Sequence, residues 1–127
     1  MKKHFNAKVL VALAAAVCLF GAGIAVGAGF GKPKTVMHVV TIKWKAGAAK
    51  EDIQKAIDGV DKVAASFPGI KNIWTNAVKH QTVDWAIAME FESLDALKKY
   101  AGSEAQKEWY KVYMPVREVS ITHDITN

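Results

Sequence analysis

Val36, His38, Val40, Ile42 and Trp44 alternate with Met37, Val39, Thr41 and Lys43. That period of two, rich in β-branched residues, predicts a strand over Val36 to Trp44. Ala46-Gly47-Ala48 interrupts it. Ile53, Ile57, Val60, Ala64 and Phe67 then follow at spacings of four, three, four and three, the apolar stripe of an amphipathic helix from about Ala49 to Ser66. Glu51 and Asp52 suit the positive end of its dipole, and Pro68-Gly69 stops it. Lys71 to Ala77 predicts a second strand, with Ile73 and Thr75 opposite Asn72, Trp74 and Asn76. A polar loop through Lys79, His80 and Gln81 leads to a third, Val83 to Glu92. There Val83, Trp85, Ile87, Met89 and Phe91 share one face, and Asp84, Ala86, Ala88, Glu90 and Glu92 the other. Ser93 is placed to cap a short helix, Leu94 to Ala101. Ser103-Glu104-Ala105-Gln106 has the form of a capping box and opens a helix that ends before Pro115. A last strand, Arg117 to Thr126, carries Val119, Ile121, His123 and Ile125 on one side.

The order β-α-β-β-α-α-β predicts an α+β, ferredoxin-like fold. Two split β-α-β units with right-handed crossovers give a four-stranded antiparallel sheet with its helices on one face. The bulky sides of the first and third strands should meet those helices. Met37, Val39, Ala86 and Ala88 would then form an uncovered apolar patch, and no helix remains to cover it. A homodimer packed through the sheet face is the expected answer.

At 127 residues the chain is long enough for one domain. Its net charge of +5 is misleading, because Lys2, Lys3 and Lys8 all precede an uncharged run. Without that segment 14 basic residues face 12 acidic ones, which gives no reason to expect nucleic acid as a partner. Residues 9–31 carry no charge, and a basic start before an apolar stretch is the pattern of an export signal. The expected organisation is a signal peptide at 1–27, cleaved after Ala25-Val26-Gly27, a linker at 28–35 and a domain at 36–127. The rival reading is an uncleaved membrane anchor, since such a run as a helix would reach roughly 35 Å. Either way the domain is exported, to the periplasm or the extracellular space. Cys18, the only cysteine, lies within the run, so the domain holds no disulfide, CxxC pair or thiolate metal site.

The segments His38-Val39-Val40 through Lys43, Phe67-Pro68-Gly69-Ile70-Lys71-Asn72-Ile73, Phe91-Glu92-Ser93 with Tyr100 seven residues later, and Ile121 to Asp124 occur here in order. Together they resemble the stress-responsive A/B barrel (Dabb) domain family, over roughly residues 36 to 126. The resemblance implies a dimeric α+β barrel with a pocket between helices and sheet. One member type, the plant olivetolic acid cyclase, closes a polyketide ring with a tyrosine and a histidine in that pocket. The resemblance places the tyrosine at Tyr100 and a pocket-lining histidine at His38. The family's His-Pro-x-His stretch reads Ser103-Glu104-Ala105-Gln106 here, and an amide at Gln106 cannot act as the general base.

The candidate ligand-binding residues are therefore His38, Trp85, Tyr100, Gln106 and Trp109, with Trp85 and Trp109 expected in the same pocket. Each has a plainer alternative: a hydrogen-bonded core histidine, a tyrosine capping the core, tryptophans that fill it. His123, on the last strand, is expected within reach of His38. Two histidines without a third ligand do not make a metal site, and no metal or cofactor is expected. Two functions stay open. One is binding of a small apolar or aromatic molecule; the other is a cofactor-free oxygenase-like or cyclase-like reaction using His38 and Tyr100.

Overall fold

The computed structural model describes residues 31–127. The expected signal segment, 1–27, and the first residues of the expected linker lie outside them. Among the described residues no helix is long and apolar enough to cross a membrane.

Seven elements follow in the expected order: β1 (Val36–Trp44), α1 (Lys50–Ser66), β2 (Ile70–Ala77), β3 (Trp85–Phe91), α2 (Leu94–Tyr100), α3 (Glu104–Tyr113) and β4 (Arg117–Ile125). The sheet runs β2-β3-β1-β4 with every neighbouring pair antiparallel. Two returns across the sheet therefore carry the helices, as in a ferredoxin-like fold. The short helices start where the sequence places caps: Ser93 Oγ accepts from the Ala96 amide at 3.1 Å and Ser103 Oγ from the Gln106 amide at 3.3 Å. Between them Gly102 turns the chain at φ 78°, a region open to glycine at little cost.

The third strand begins at Trp85 rather than the expected Val83. Thr82 folds back on His80, its amide donating to Nδ1 at 3.2 Å. The Asp84 amide donates to the Ile42 carbonyl at 2.8 Å, and its carboxylate accepts from the Trp44 amide at 2.9 Å.

Val36, Val40 and Ile42 of β1 and Ile87, Met89 and Phe91 of β3 point into the core, where they meet Val60, Val63, Leu97, Tyr100, Trp109 and Tyr113 of the helices. The other face carries what the alternation predicts. Register places Met37 beside Ile125, Val39 beside His123 and Thr41 beside Ile121, with Trp74 opposite Ala88. Trp74, Val119, Ile121 and Ile125 are each about half exposed there.

Candidate functional site

β1 and β4 pair so that His38 stands opposite Asp124 and Val39 opposite His123. His123 consequently lies on the face away from the helices, and it is Asp124 that meets His38. Successive strand residues point to opposite faces, so the two cannot both reach the imidazole. His38 Nδ1 and Asp124 Oδ1 lie 2.6 Å apart. A carboxylate can only accept, so Nδ1 carries the donated proton, and a neutral His38 then keeps its free lone pair on Nε2. The histidine side chain is 16% exposed and the aspartate 47%, so the pair sits at a rim rather than in the core.

Tyr100 completes this end. The last residue of α2, it is almost fully buried in a nest of rings: Phe91 at 5.2 Å, Phe67 at 5.6 Å and His38 at 6.3 Å between centroids. Its hydroxyl has no hydrogen-bond partner. Burial, reinforced by Tyr110, holds its pKa well above the usual phenol value, while Gln106 lies near enough to offset part of the rise. The phenol is therefore a proton donor near neutral pH and not a base. Gln106 does not bond it; its Oε1 accepts from the Gly102 amide at 2.7 Å and tightens the α2–α3 turn.

The two tryptophans make their polar contacts away from His38 and Tyr100. Trp85 stands opposite Ile42, four residues along β1 from His38, and its Nε1 donates to Thr75 Oγ1 at 2.6 Å. Trp109 stacks on Tyr113 at 4.4 Å and donates from Nε1 to the Ala56 carbonyl at 2.8 Å. It lies beside Gly59, Val63, Ala105 and Val112 in a groove of about 660 Å³ between α1 and α3. None of His38, Tyr100 or Asp124 lines that groove, so the groove and the groups able to move a proton occupy different parts of the domain. Among the described residues no three His, Cys, Asp or Glu side chains are grouped to hold a metal ion.

His38 and Tyr100, which the sequence singles out, lie together with rings 6.3 Å apart, and Asp124, which it does not single out, joins them through His38. The alternation of β4 held the signal: once Ile121, His123 and Ile125 are assigned to the uncovered face, Ser120, Thr122 and Asp124 must face the helices.

Several solved structures share this architecture. A dimeric ferredoxin-like protein of unknown function from Thermobifida fusca superposes with a TM-score of 0.66 at 14% identity, covering 78% of this chain and 96% of its own. Hydroxynitrile lyase from Passiflora edulis gives 0.68 at 16% identity over 76% and 95%. A Dabb family protein with a ferredoxin-like fold from Mesorhizobium loti gives 0.64 at 14% identity over 73% and 96%. Among curated proteins no sequence match is found. The family model of the Stress responsive A/B Barrel Domain matches residues 36–127, the whole of the sheet and its helices, and the chain belongs to this Dabb family.

Proposed function

We propose that the protein is an exported, homodimeric Dabb barrel that binds a small apolar or aromatic molecule at the His38–Tyr100 end of the space between helices and sheet. The observation that carries this is the Tyr100 hydroxyl, buried without a partner. An unsatisfied buried donor costs about 1–3 kcal/mol, which a ligand acceptor would relieve. Phe67 and Phe91 offer the ring surfaces for its apolar body, and His38 offers a second polar contact. Dimerisation is supported by the apolar free face of the sheet and by relatives described as dimeric. Export is supported by the three early lysines and the uncharged run behind them.

A second reading is favoured by the His38–Asp124 hydrogen bond. An aspartate on Nδ1 orients an imidazole as a general base through Nε2, and a protonated Tyr100 can donate to a developing oxyanion. That pair suits a cofactor-free proton transfer. The relative from Passiflora edulis is a lyase by name.

Native mass spectrometry of the full-length gene product, purified gently from the cell envelope, tests both. A dimer of trimmed chains carrying an adduct, and a bare dimer from Tyr100→Phe and His38→Gln, is expected. Equal adduct in wild type and both variants would move the ligand elsewhere and overturn the site. Asp124→Asn separates the readings: a bound molecule retained but no longer converted indicates catalysis, whereas no conversion by the wild type leaves binding alone.

A further inference from the structure

Arg117 is the only arginine in the chain. It opens β4 opposite Trp44, where the β1–β4 register shifts. Its Nη1 donates to Ser120 Oγ at 3.1 Å, but its Nε is buried without a partner. Among the described residues it makes no ion pair. Tyr113, the last residue of α3, is 3% exposed and its hydroxyl is likewise buried without a partner. Ser120 and Arg117 both lie near enough to ease the rise in pKa that burial imposes on this phenol. Trp109 stacks on Tyr113 at 4.4 Å, and Trp44 meets it edge-on at 6.4 Å.

Two buried donors, one of them on a guanidinium without a counter-charge, thus gather on the helix-facing side of β4. We propose that Arg117, Tyr113 and Ser120 form a binding site for the carboxylate of a small organic acid. A water molecule could accept from either donor but would leave the guanidinium uncompensated. A carboxylate has two acceptor oxygens and the charge, and its plane matches the guanidinium fork. Tyr113 stays protonated, as a donor must, and the two tryptophans around it suit an apolar or aromatic body.

Ser120 pairs with Ile42 and Asp124 with His38. Four residues of strand separate the two ends, about 13 Å. The carboxylate contacts lie at the Arg117 end of β4 and not at its Asp124 end, though the Tyr113 phenol is near enough to Tyr100 to raise its pKa, and they do not rest on the function proposed for His38 and Tyr100.

A single arginine gives a single Nε–H resonance, so the full-length protein labelled on arginine nitrogen reports the site directly. Benzoate is the probe and benzamide, its neutral analogue, the control. Benzoate is expected to shift that resonance saturably at millimolar concentration and to slow its exchange with water, while benzamide does neither. Tyr113→Phe and Arg117→Lys should each weaken benzoate roughly ten-fold or more, the usual weight of a hydrogen bond to a charged group. An absent shift in the wild type, an equal response to benzamide, or full affinity in Tyr113→Phe overturns the site. Loss of benzoate in Tyr100→Phe but not in Tyr113→Phe overturns it too, while leaving the His38–Tyr100 reading intact.

Discussion

Tyr100 and Tyr113 carry buried phenols whose pKa values burial raises above 10.0, and this gives the fold an alkaline limit. Below about pH 10 both phenols are protonated in the folded and unfolded chain, and their contribution does not vary with pH. Above it the unfolded chain loses protons that the fold retains, so stability falls as pH rises, by at most about 1.4 kcal/mol per pH unit for each phenol. Urea melts between pH 8 and 11 should show that decline, and Tyr100→Phe should flatten it. The same variant should be no less stable at pH 7, because it removes a donor that has no partner. A loss of more than about 2 kcal/mol there would mean that the hydroxyl is satisfied within the fold. His38 was legible from the sequence as a polar group on the helix-facing side of an apolar strand, and Tyr100 only through the family resemblance. Asp124 was not, since its meeting with His38 depends on the register of strands 86 residues apart, and a shift of one residue would have brought His123 inward instead.

The helices follow from local sequence signals. Ser93 and Ser103 cap the helices they precede, and Ser93→Ala should cost about 1 kcal/mol in a thermal or urea melt. The seam between α1 and α3 was not legible, because it depends on a glycine in one helix meeting a tryptophan fifty residues on. A Cβ at Gly59 would stand 2.7 Å from Trp109 Cδ1. Alanine gains about 1 kcal/mol in helix propensity over glycine, but the indole is rigid, stacked on Tyr113 and tied to the Ala56 carbonyl, so it cannot yield. Gly59→Ala should therefore be a net loss of about 1–3 kcal/mol. A variant more stable than the wild type would show the seam to be loose. The same argument separates Trp109 from the candidate ligand site: its polar atom is used in holding two helices together.

At the scale of the molecule the uncovered face of the sheet is the unresolved energy. Trp74, Val119, Ile121 and Ile125 stand half exposed on it, flanked by Ala86 and Ala88, whose small side chains would let a second sheet approach closely. Alternation along the strands made this face legible, because a two-sided apolar sheet with helices for one side needs a second covering. Adjacent residues of β4 allow a decisive test. Ile121 pairs with Thr41 on the free face, whereas Thr122 pairs with Val40 on the helix side, and both are exposed in a single copy. In a monomer either change to glutamate is a surface substitution worth within about 0.5 kcal/mol. In a dimer packed sheet to sheet, Ile121→Glu places an unpaired carboxylate in an apolar interface, which it tolerates poorly. Light scattering coupled to size exclusion should therefore find Ile121→Glu at half the mass of the wild type and of Thr122→Glu. The wild-type melting temperature should rise with protein concentration, as association requires, and that of Ile121→Glu should not. A full-size Ile121→Glu dimer would place the contact on another surface and leave this face to a different partner.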